Sequence, residues 1–158
     1  MADARIFQDL KADHDRHRAM LAELAAADYA DRAALFEVLR VEISAHAAAE
    51  EESLYATMLA IPDLRDEARH SVSEHKEIDD YFGELTDLDP AGAAWTAKFE
   101  EMRHRYEHHI GEEEEEMFPS AAEKLSDGDE ARLAAVFERR KPKELVRAEE
   151  GQPGDDRE

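Results

Sequence analysis

The chain has 158 residues, room for one domain with one hydrophobic core. Its formal net charge of -21, from 41 acidic and 20 basic residues, would repel a phosphate backbone, so nucleic acid is excluded as an expected partner. Cysteine is absent, which rules out disulfides, thiolate metal sites and cysteine nucleophiles, and leaves nitrogen and oxygen as the donors for any metal.

The stretch from Met1 to Asp15 carries a charge every few residues and does not read as a secretory leader. No apolar run reaches the length of about 18 residues that a membrane span needs. The expectation is a cytoplasmic protein without a membrane partner. Much of the acidity reads as a solvated surface, with local enrichment of cations as its one electrostatic consequence.

Glycine and proline are few and fall between long segments of good helix formers, which predicts an all-α chain. A first helix is predicted from about Asp3 to Ala27, with Phe7, Leu10, Leu21 and Leu24 in one stripe. The second runs from about Asp31 to Leu59, with Leu35, Leu39, Ile43 and Leu54 inward and Pro62 at its end. The third covers about Asp63 to Leu85, on which Leu64, Ala68, Val72, Ile78 and Phe82 share a face, and a loop follows from Asp87. The fourth spans about Ala93 to Met117, with Trp95, Phe99, Met102, Tyr106 and Ile110 buried and Pro119 just beyond it. Short connections between helices of this length predict an up-down-up-down four-helix bundle over residues 1–125. A short additional helix, about Asp129 to Arg140 within an extension at 126–148, is expected to lie across one end. The polar tail, 149–158, is expected to be disordered. A monomer or weak homo-oligomer is expected.

The chemical signal is a repeat. His46-Ala-Ala-Ala-Glu50, followed by Leu54-Tyr55, is echoed residue for residue by His109-Ile-Gly-Glu-Glu113, followed by Met117-Phe118. A His and a Glu four apart share a helical face, so both side chains can address one metal. His46 and Glu50 fall on the stripe of Leu39, Ile43 and Leu54. On the fourth helix His109 and Glu113 continue the line of Met102, Tyr106 and Met117, whereas His108 and Glu112 are turned away by roughly 100°. His75 is inward on the third helix, with Asp79 four residues on. On the first helix His14 and His17 both sit on the apolar stripe, and spacing does not choose between them.

A single inward histidine is more often a hydrogen-bonded core residue than a ligand, and glutamates usually face water. Several inward histidines and carboxylates at matching heights are another matter, because burying them without cations is costly. His70, His104 and His108 point outward and read as solvated. Glu67-Ala-Arg-His70 and Glu101-Met-Arg-His104 match the Glu-x-x-His spacing of ferritin-like sites, but their outward histidines make the matches chance. Tyr106, one turn before His109, is placed to hydrogen-bond near the cluster or to serve as a core tyrosine.

With His14, the two His-x-x-x-Glu pairs and His75, the sequence over about residues 6–119 resembles the hemerythrin-like, or HHE cation-binding, family. That resemblance implies a bundle holding two iron ions with an oxo or hydroxo bridge. It implies metal ligation by His14, His46, His75 and His109, with Glu50 and Glu113 as bridges. Oxygen-binding hemerythrins carry a second histidine one turn along the third helix, where this chain has Asp79. The departure shifts the expectation from reversible oxygen carriage to binding, sensing or turnover of a small oxidant: oxygen, hydrogen peroxide or nitric oxide. Iron binding, storage or sensing without turnover is the alternative.

Overall fold

The computed structural model describes residues 1–151, and every regular element among them is helical. Helix α1 is Arg5–Ala26. Helix α2 is Arg32–Glu50, extended by a π-helical turn, Glu51–Tyr55, and a last α turn, Ala56–Ala60. Helix α3 is Pro62–Asp87, and its Pro62 at the first turn forfeits an N–H that has no intrahelical partner there. Helix α4 is Ala93–Glu112, continued by a π-helical turn, Glu113–Met117, and by Phe118–Lys124. Helix α5 is Asp127–Glu150, opened by Ser126, whose side chain accepts from the Asp129 amide.

The four helices bury stripes that alternate steps of three and four: residues 7, 10, 14, 17, 21 and 24 on α1; 32, 36, 39, 43, 46 and 50 on α2; 64, 68, 71, 75, 78, 82 and 85 on α3; 95, 99, 102, 106, 109 and 113 on α4. This is the seam spacing of helices that pack nearly alongside one another. Successive helices pack together and α4 packs back on α1, which closes a helical bundle. Its apolar interior falls into two clusters, one around Phe7, Leu54 and Phe118 and the other around Leu39, Phe82 and Phe99. His14, His46, Glu50, His75, His109 and Glu113 occupy the seam positions between those clusters, so a polar layer is enclosed by apolar packing on both sides.

Four expectations are corrected. Proline does not end the fourth helix at Met117, because the chain stays helical through Pro119 to Lys124. The π turn just before it alters the hydrogen-bond pattern, so the ring enters at the first turn of a new α segment, where proline is tolerated. The C-terminal helix is 24 residues long, twice the span that its apolar spacing shows, because its buried stripe continues from Phe137 through the charged Lys141 and Glu144. Nor does it cross an end of the bundle. It lies lengthwise on α2 in the opposite sense: Arg40 donates to the Ala148 carbonyl at 3.1 Å, and Phe137 meets the His46 ring at a centroid distance of 5.8 Å. That coverage explains why Ala45, Ala47, Ala48 and Ala49 of α2 are all buried, since a helix covered on two sides has little polar face. Glu149 and Glu150, the start of the expected tail, form the last turn of α5; residues 152–158 lie outside the described residues.

Phe137 anchors α5 in the cluster of Phe7, Leu54 and Phe118. Phe137→Ala should lower unfolding free energy by about 3–5 kcal/mol in denaturant titration. A loss of less than about 1 kcal/mol would mean that α5 is not part of the cooperative core.

Candidate metal centre

Five histidines converge in the polar layer: His14, His17, His46, His75 and His109, none more than 8% exposed. Glu50 and Glu113 lie among them, at 0% and 1%. His108 and His104 are exposed, as their direction requires, and Glu112 is only partly buried. The seam spacing brings both candidates of α1 inward, since His14 and His17 are three apart on a stripe that alternates three and four.

Three of the imidazoles donate outward to a carboxylate on another helix, and a fourth pairs with a hydroxyl there. His14 Nδ1 donates to Glu114 of the α4 π turn at 2.7 Å, and His109 Nδ1 donates to Glu74 of α3 at 2.9 Å. His46 Nδ1 donates to Asp13 of α1 at 2.8 Å, and His17 Nδ1 lies 2.7 Å from the Tyr106 hydroxyl. His75 Nδ1 faces Glu51 at the longer distance of 3.6 Å. Asp13 is itself held by Lys141 of α5 at 2.8 Å.

The inner atoms tell the complementary story. Nε2 of His14, His17 and His46, both carboxylate oxygens of Glu50 and Oε2 of Glu113 are buried without a hydrogen-bond partner. Orphaned buried polar atoms are costly, and six in one layer call for a ligand that accepts lone pairs from imidazole nitrogen and carboxylate oxygen. Beside a group of Asp13, His17 and His46, the inner donor atoms fall into two groups whose members lie within 4.8 Å of one another: Glu50, His75, His109 and Glu113 in one, and His14, His46 and Glu50 in the other. Glu50 belongs to both. Glu113 also reaches toward both, since Oε2 is 3.4 Å from His14 Nε2 while Oε1 is 3.9 Å from His75 Nε2 and in close contact with His109 Nε2. The donor set therefore fits first-row transition-metal cations.

The chain itself matches a known domain. A family profile described as the Hemerythrin HHE cation binding domain matches residues 5–121. The chain belongs to this family. A crystal structure of a Hemerythrin HHE cation binding domain-containing protein from Mycobacterium kansasii superposes with a TM-score of 0.71 at 22% identity, covering 88% of this chain and 95% of that one. At that identity the likeness speaks for the fold. A search among curated proteins gives no match. Membership makes the chain a cation-binding module, and no helix among the described residues is long and apolar enough to cross a membrane. Helix α5, which supplies Lys141, lies beyond the matched span.

Without a cation the buried polar layer is held together by protons. Burial disfavours an imidazolium, yet Glu113 and Glu114 outweigh it at His14 and raise its pKa to about 9. Burial likewise opposes charge on His109, but Glu113 and Glu74 raise it to about 9. His46 goes the other way: burial takes it down to about 4 and Asp13 offsets only part of this. Burial and the Glu113 charge push Glu50 up to about 7, whereas Glu113 is held well below the carboxylate range because His109, His14 and His75 overcome its own burial.

The sign of the pH dependence follows. His14 and His109 have folded pKa values above the ordinary 6.5, so the stability they contribute is complete below that value and is lost as pH rises through about 9. The raised Glu50 acts below this window, between the ordinary 4.5 and about 7. The metal-free protein should therefore melt at a lower temperature at pH 9 than at pH 7, and the metal-loaded protein should not show the drop, since ligating imidazoles are already deprotonated. Equal melting temperatures at both pH values in the metal-free protein would contradict this charge assignment.

Proposed function

We propose that this chain is a non-haem di-iron protein that binds, senses or turns over a small oxidant, namely oxygen, hydrogen peroxide or nitric oxide. The observation that carries the reading is that Glu50 is common to two buried donor groups, one on the side of His75 and His109 and one on the side of His14 and His46. A carboxylate shared between two such groups suits a bridge between two ions, and Glu113 is the second bridge. His14, His46, His75 and His109 are then metal ligands, and His17 is a fifth histidine available to the same pair. The four principal helices are read as an up-down-up-down bundle on the strength of their short connections. Two iron ions with an oxo or hydroxo bridge would supply the redox chemistry.

The protein's own residues supply position and selection. The outer acceptors Asp13, Glu74 and Glu114 fix which ring nitrogen carries the proton, so that Nε2 presents its lone pair inward. Beside His46 and His75 lies a cavity of about 10 Å³, walled by Ile43, Ile78 and Phe82, with Asp79 and Tyr106 as its polar margin. Such a space holds about one water-sized molecule, which favours diatomic or similarly small ligands. Asp79 brings a carboxylate to the cavity where a further imidazole would favour oxygen carriage. The alternative, an iron-binding, storage or sensing module without turnover, is separated by repeated peroxide additions: both irons are retained if the site turns over, and lost if it stores.

Reconstitution should give two iron atoms per chain. His109→Ala should lose at least one of them, His108→Ala should lose none, and Glu113→Ala should lose the most, because a bridge holds both ions. A single tightly bound iron in the unsubstituted protein, or loss of metal from His108→Ala alone, would refute this ligand assignment.

A further inference from the structure

Every residue of the inner chamber is buried, and a hydrated dication cannot shed its water in one step without a large penalty. A cleft leads toward it from outside. Between α3 and α4 a space of about 300 Å³ is lined by Glu67, His70, Glu112 and Glu116 at the surface, and by Glu113 of the chamber itself. His70 Nε2 lies 3.4 Å from Glu74 Oε1 and 3.6 Å from Glu112 Oε2, and the other Glu112 oxygen is 2.8 Å from His108 Nε2. His70, Glu74 and Glu112 thus offer one imidazole and two carboxylates whose donor atoms lie within 4.8 Å of one another.

Two further observations tie this cluster to the chamber. Glu74 is only 5% exposed, and the same Oε1 that faces His70 also accepts from His109 Nδ1 at 2.9 Å. Glu113, 1% exposed, lines the cleft, and its Oε2 lies 3.4 Å from His14 Nε2 on the chamber side. The cluster is therefore half-exposed on one side and one carboxylate away from the inner histidines on the other. A net charge of -21 adds a field that concentrates cations at an acidic cleft.

We propose that His70, Glu74 and Glu112 form an outer cation site, which captures a divalent first-row transition-metal ion from solution and passes it to the chamber along Glu74 and Glu113. Imidazole and carboxylate replace part of the hydration shell at the outer site, so desolvation is divided into two smaller steps. His70 and Glu112 belong to capture only, since neither is in the inner donor groups. Glu74 has a second duty in holding His109, so its substitution is not a clean probe.

The inference rests on the two-ion reading of the chamber, and the test separates the two. Metal-free full-length protein is mixed with cobalt(II), and filling is followed by absorption in stopped flow and by equilibrium titration, for the unsubstituted chain and for the exposed double substitution His70→Ala with Glu112→Gln. The unsubstituted protein should bind two cobalt ions tightly and a third weakly. The double variant should lose the third, reach the same final spectrum for the tight pair, and fill about tenfold more slowly. An unchanged filling rate, or a third equivalent that survives both substitutions, overturns the outer site. If the unsubstituted chain instead binds one weak cobalt that the variant lacks, the outer site stands and the two-ion chamber fails.

Discussion

The centre depends on a ring of contacts in which four of its five imidazoles are each addressed by an acidic residue of a different helix. His14 of α1 is held by Glu114 of α4, His109 of α4 by Glu74 of α3, and His46 of α2 by Asp13 of α1, while His75 of α3 faces Glu51 of the turn that follows α2. The ring passes through all four helices and closes on itself. Each contact turns one ring nitrogen outward and leaves the other facing the interior, so four helices that would otherwise only share apolar area are also fixed in height and rotation around one point. The apolar clusters above and below shield that layer from bulk solvent, which strengthens the charge interactions inside it.

The two π turns serve the same layer. Each begins directly after the inward glutamate of a His-x-x-x-Glu pair or on it, at Glu51 and at Glu113. The wider turn lets two successive side chains face inward, Leu54 with Tyr55 and Met117 with Phe118. Tyr55 donates to Glu113 at 2.6 Å and stacks on His75 at 5.3 Å, and Phe118 stacks on His14 at 6.0 Å. The sequence echo between the halves is thus an echo of structure: an imidazole, a carboxylate and a stacked aromatic ring on each.

Much of this was legible because period and direction are local properties. The stripes identify the helices, and the apolar line through Met102, Tyr106 and Met117 separates His109, which is buried, from His108, which is 56% exposed. Three features were not legible, each for a physical reason. A π turn leaves the spacing of four from Glu50 to Leu54 and from Glu113 to Met117 intact, so apolar period does not register it. The second half of α5 buries Lys141 and Glu144, which a search for apolar residues passes over. The outer acceptors look like solvated acids. Yet Asp13, Glu51, Glu74 and Glu114 each stand directly next to an inward residue, His14, Glu50, His75 and Glu113, and a turn of roughly 100° aims such a neighbour at the adjacent helix. An acid flanking an inward histidine or glutamate is a signal that the sequence contains and that residue type alone conceals.

Helix α5 extends the network past the span shared with the family, since Lys141 holds Asp13 and Asp13 holds His46. Burial opposes charge on Asp13, but His46 first and Lys141 after it hold its pKa below the usual carboxylate range. Crystals of the iron-loaded protein, measured on both sides of the iron absorption edge, give the most direct test of a chamber built for two ions. The account predicts two anomalous peaks between Glu50 and Glu113, one facing His75 and His109 and the other facing His14 and His46. A single peak, or peaks that do not lie between the two glutamates, would contradict it.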